Sequence, residues 1–196
     1  MTQGRSASVA VVPRAGAAAA LPARSRLSIK AFYGEYHGHK VEHLALLREH
    51  LTHVRLAAAP PQAPPVERPV VYLAGDSSLD NKYWLSDTAP AANGYDAVLQ
   101  RPVSFCDVCH FVNARLEADG GHMVALNAAV EESTLQQRMG GVLLPQDVFI
   151  RDNLQPDDVL VVNVGGNDGA PGVCAAAVAA AAWPWPGRGR STPSPV

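Results

Sequence analysis

The two most strand-like stretches of this chain both end in polar, glycine-containing loops, and that pairing constrains the fold more than any other feature. Val70 to Ala74 (VVYLA) runs into Gly75-Asp76-Ser77-Ser78, and Val159 to Val164 (VLVVNV) runs into Gly165-Gly166-Asn167-Asp168. Continuous apolar runs rich in β-branched residues mark strands covered on both faces, a property of parallel sheets. Between them the pattern predicts a helix over 94–119, with Val108, Val112 and Leu116 on one side and Gly120-Gly121 as its stop. A weaker strand over His122 to Leu126 (HMVAL) and a helix over 131–140 follow. Strand, helix, strand, helix, strand predicts an α/β fold, a three-layer parallel sheet with right-handed crossovers. Ligands bind such sheets at the carboxyl ends of the strands, so the two loops are expected to face one crevice.

Upstream the text changes character. The first acidic residue is Glu35; residues 1–31 carry Arg5, Arg14, Arg24, Arg26 and Lys30 among alanines and serines, which reads either as an organelle transit peptide or as a disordered leader. Residues 32–56 contain a helix, with Val41, Leu44, Leu47, Leu51 and Val54 spaced by threes and fours. Residues 57–69 form a proline-rich linker, and 66–170 form the α/β domain. Residues 171–196, with Trp183-Pro184-Trp185-Pro186, have no strand or amphipathic pattern and read as an irregular tail.

Ala74-Gly75-Asp76-Ser77-Ser78-Leu79 resembles the first block of the SGNH (GDSL-type) hydrolases, and Gly165-Gly166-Asn167-Asp168 resembles their third, G-x-N-D. Both stand at strand ends, in the family's order and about ninety residues apart. The resemblance covers the N-terminal portion of such a domain and implies a flavodoxin-like, SGNH-type sheet, incomplete at its C-terminal end, with apolar edge surface left exposed. It implies a serine acyl-enzyme esterase acting on a small-molecule ester or acylated substrate, without a cofactor. Ser77 would be the nucleophile. The Ser77 backbone N–H and the Asn167 side chain would line the oxyanion hole, supported by Gly75, Asp76, Gly165 and Asp168. A serine hydroxyl attacks only when a base takes its proton, and the resulting oxyanion needs preorganised donors.

Two departures follow from the same comparison. Aligned through Asn127 and Thr134, the family's second-block glycine falls on Glu132, whose carboxylate would oppose an oxyanion unless it turns away. The family's C-terminal D-x-x-H block is absent, since no histidine follows Asp168. The chain is therefore expected to be a truncated SGNH-type ester hydrolase whose activity as this chain is left open; the alternative is a catalytically dead SGNH-like module for binding or scaffolding. A D-x-x-H does occur at Asp107 to His110, but inside the predicted crossover helix, where His110 should miss the crevice. Cys106-x-x-Cys109-His110 also matches the c-type haem attachment pattern, although buried thiols on a helix face are the expected reading. His37, His39, His43, His50 and His53 are expected on a solvated helix face, with no metal site.

Net charge of -2 argues against a nucleic-acid partner, and no run is long enough for a membrane span. Three cysteines favour an intracellular, reducing compartment over a disulfide framework. Oligomeric state is not legible.

Overall fold

The computed structural model describes residues 26–54 and 66–168. Helices Ile29–Tyr33 (α1) and Val41–Thr52 (α2) lead into a small antiparallel ladder of His53–Val54 (β1) with Val66–Glu67 (β2). Val70–Gly75 (β3) follows, and then Thr88–Pro90 (β4), the single-turn helix Tyr95–Val98 (α3) and Val103–Phe105 (β5), which pairs antiparallel with β4. Val108–Ala118 (α4) leads to Val124–Asn127 (β6); Leu135–Arg138 (α5) and Pro145–Asn153 (α6) precede Val159–Asn163 (β7).

The protein is mixed α/β, built on a parallel sheet of three strands in the order β6-β3-β7 with helices packed around it. Every residue of β3 is buried, as its position between two neighbours requires. Val71 pairs with Ala125 on one side and Val159 on the other, so all three strands end at the same side of the sheet. Among the described residues β7 forms an edge and exposes Val159, Val161 and Val162.

The helix upstream of the linker belongs to this core. Leu44, Leu47 and Leu51 of α2 are fully buried in one cluster with Tyr72, Leu73 and Leu126. Arg68 fastens it: the buried guanidinium donates to the Leu51 carbonyl at 2.7 and 2.9 Å, to Asn93 Oδ1 at 2.8 Å and to the Gly121 carbonyl at 3.1 Å. Residues at the end of the expected leader are ordered too, for Leu27 forms a parallel bridge with Leu99.

Three expectations need correction. The stretch 94–119 is two helices with β5 between them, because Pro102 lacks an N–H and the segment instead pairs with β4. Within 131–140 only α5 is α-helical. Residues 130–133 are held as a turn by backbone bonds from Val130 to Gly75 and from Ser133 to Val130, and Gly140 and Gly141 sit at positive φ. α6 was not anticipated, although Pro145 at its start is a helix-initiation signal. The transit-peptide reading, most of the linker and the tail with Cys174 lie outside the described residues.

Candidate active site

The end of β3 is shaped by a close approach of backbone to backbone. A Cβ on residue 75 would overlap the carbonyl oxygen of Asn163 on β7, so only glycine fits where the strand gives way to the loop. Asp76 N–H donates to that same carbonyl at 3.2 Å. The chain then makes one tight turn, with the amides of Leu79 and Asp80 donating to the Asp76 carbonyl at 3.1 and 2.9 Å. Ser77 stands half-buried on this turn.

The Asp76 carboxylate joins the two motif loops. Its Oδ1 accepts from the Ser78 amide at 3.0 Å and the Ser78 hydroxyl at 2.8 Å. Its Oδ2 accepts from the amides of Gly165 and Gly166 at 3.1 and 3.2 Å. Burial alone would raise this carboxyl, but the donors from Ser78, Gly166 and Gly165 outweigh it and hold it below the usual carboxylate range.

Asn167 is positioned from the opposite side. Its amide nitrogen donates to the Ser133 carbonyl at 3.0 Å, which leaves the second N–H of the same amide for a ligand. Ser133 is itself tied to the serine loop, its hydroxyl donating to the Gly75 carbonyl at 2.9 Å. Asp168 accepts from the amides of Leu135 and Gln136 at 2.9 and 3.2 Å, fixing the start of α5 and with it the far end of the Gly165 loop.

Glu132 occupies a turn at φ 60°, unusual for a side chain of its size. Its carboxylate is engaged by the Tyr36 hydroxyl at 3.0 Å. Among the described residues, neither the Ser77 N–H nor the Glu132 N–H has a hydrogen-bond acceptor. Two unpaired amides and one half-used asparagine amide are the donor types an oxyanion requires.

All seven histidines of the chain lie in the described residues, and none hydrogen-bonds the Ser77 hydroxyl. His110 stands in the first turn of α4, not in its middle, with Nδ1 2.8 Å from the Ser104 hydroxyl; Asp107 caps that helix by accepting from the His110 amide at 2.7 Å. Cys109 is buried, and Cys106 is half-buried. The solvated-face reading fails for His39, which precedes α2, is buried and stacks on Phe32 at a centroid distance of 4.0 Å. Burial, aided by the charge of Lys82, depresses His39 to about 3, so it stays neutral.

Two features at this site were missed in the sequence. Asp80 and Lys82 form a fully buried ion pair, and Asp80 Oδ2 also accepts from the amides of Gly38 and Glu131 at 2.8 and 2.9 Å. Burial raises the Asp80 carboxyl despite Lys82. Ser133, central to the loop contacts, carries no pattern that distinguishes it from any other serine.

No protein-family model, curated protein or solved structure matches this chain.

Proposed function

We propose that the protein is an SGNH-type serine ester hydrolase, with Ser77 as nucleophile and the amides of Ser77, Glu132 and Asn167 as oxyanion donors. The observation that carries this reading is the Asp76 carboxylate, which holds the Ser77 turn and the Gly165-to-Asp168 loop together at one sheet end. The strand order supports it, because the first strand lies between the second and third, as in the flavodoxin-like arrangement 2-1-3.

The chemistry is that of an oxyanion site without an assisting histidine. Attack by the Ser77 oxygen on an ester carbonyl puts negative charge on the former carbonyl oxygen, which the three donors stabilise. Collapse breaks the ester C–O bond, the leaving alkoxide takes a proton from water, and hydroxide then cleaves the acyl-Ser77 ester to regenerate the serine. Solvent hydroxide, not imidazole, takes the serine proton, so acylation is slow and base-dependent; loss of a triad member leaves only the contribution of binding and oxyanion donors. A second reading, a non-catalytic SGNH-like binding module, is favoured by one observation: among the described residues no histidine hydrogen-bonds the Ser77 hydroxyl. Incubation with p-nitrophenyl acetate or a fluorophosphonate, followed by intact-mass analysis beside Ser77→Ala, separates the two. The hydrolase reading predicts one adduct, absent from the variant; no difference between the proteins favours the binding module.

A further inference from the structure

Beside the Ser77 turn stands a group of aromatic rings that the acyl chemistry does not use. The segment that carries Ser77 continues through Asp80 into a short 3-10 turn, Lys82–Trp84, and delivers Tyr83 and Trp84 to the surface at 56% and 64% exposure. Tyr36 packs against both, with ring centroids 4.8 Å from Tyr83 and 6.4 Å from Trp84. The three rings are nearly perpendicular to one another, at 72°, 81° and 86°. They therefore meet edge to face, as the open corner of a box, and not as a flat stacking platform.

The box is pinned by carboxylates. Trp84 Nε1 donates to Glu131 at 3.1 Å and the Tyr36 hydroxyl donates to Glu132 at 3.0 Å. Both donors are neutral, and among the described residues neither glutamate forms an ion pair with lysine or arginine. Glu131 is only 5% exposed, and among the described residues no lysine or arginine lies within ion-pair distance of its carboxylate. Uncompensated carboxylates beside several aromatic faces suit an organic cation, and disfavour anions and fatty chains. Mutually perpendicular rings are how proteins surround a methylated ammonium group.

We infer that Tyr36, Tyr83 and Trp84, with Glu131 and Glu132, form a binding subsite for a quaternary ammonium group, which makes the substrate an ester of a cationic amino alcohol such as choline. The substrate assignment rests on the Ser77 reading; the cation site does not. The two are built on common scaffolding, since Asp80 holds the amides of Gly38 and Glu131, and Ser133 holds the Gly75 carbonyl.

The test is a titration of the full chain carrying Trp183→Phe and Trp185→Phe, with Trp84 fluorescence as the signal and calorimetry as a check. Choline is the probe, and 3,3-dimethylbutan-1-ol is its uncharged isostere. Choline should bind saturably and the isostere roughly tenfold more weakly or worse, with Glu131→Gln and Tyr83→Ala each losing roughly tenfold for choline. Ser77→Ala should bind choline unchanged, so this result stands apart from any failure of acylation. Equal binding of the two probes, no binding of choline, or indifference to both substitutions would overturn the cation site. If choline binds but acetylcholine acylates Ser77 no faster than ethyl acetate does, the substrate assignment falls.

Discussion

The Asp76 carboxylate accepts the backbone N–H of Gly166 at 3.2 Å across the mouth of the sheet, and it does so while holding the Ser78 hydroxyl with its other oxygen. A single buried side chain thereby ties together the Ser77 turn and the Gly165-to-Asp168 loop, which are far apart in sequence. Asp76→Ala leaves the Gly165 and Gly166 amides without their acceptor and should cost on the order of 2 kcal/mol in urea unfolding, together with Ser77 reactivity. The carboxyl is held below its ordinary range when folded, so its contribution is present above that range and is lost as pH falls through the folded value. The stability difference between wild type and Asp76→Asn should accordingly shrink in strong acid.

Gly75→Ala tests the junction of β3 and β7 directly. The added methyl would collide with the Asn163 carbonyl, and neither backbone can move without breaking the parallel pairing. We expect a loss of more than about 2 kcal/mol or failure to fold, read from chemical denaturation; a neutral result would contradict the described register.

Asn167→Ala should leave stability nearly unchanged, because its bond to Ser133 is half-buried and at the rim. Ser77 acylation should slow by roughly 10²-fold, the usual effect of removing one oxyanion donor. Equal rates would remove Asn167 from the site.

Asp107 carries a pH signature. Burial pushes its carboxyl up to about 6, from an ordinary value of 3.8, with the charge of Asp80 adding to the effect and Lys82 opposing it. Between those values the folded state keeps a proton that the unfolded chain has released, so its contribution to stability falls as pH rises across the window, by an amount on the order of 2 kcal/mol. Asp107→Asn keeps an acceptor for the His110 amide and removes the charge. Its unfolding free energy should rise more with pH over this range than that of the wild type, because buried His39, held at about 3, contributes the opposite slope and Asp107 no longer offsets it.

What could be read in the sequence was the part specified locally. β3, β6 and β7 are runs of apolar residues, and α2 shows its buried stripe at Leu44, Leu47 and Leu51. The serine and asparagine loops were legible because each directly follows a strand. Features specified by tertiary contact were not. Pro102 ended a helix that periodicity extended through it, and α6 was masked by a polar face with few apolar positions. The pairing of Asp80 with Lys82, the turn of the Glu132 carboxylate towards Tyr36 and the role of Ser133 depend on segments brought together only by folding.

The reactivity of Ser77 distinguishes a hydrolase from a binding module most directly. Acylation of this residue by p-nitrophenyl acetate should be followed by intact mass across pH 6 to 10, with Ser77→Ala as the control. We predict a Ser77-dependent adduct whose rate climbs steadily with pH and shows no inflection near about 6.5, where a histidine base would titrate. A profile with such an inflection would contradict acylation without an assisting histidine, and the absence of any adduct beyond the Ser77→Ala control would contradict the hydrolase itself.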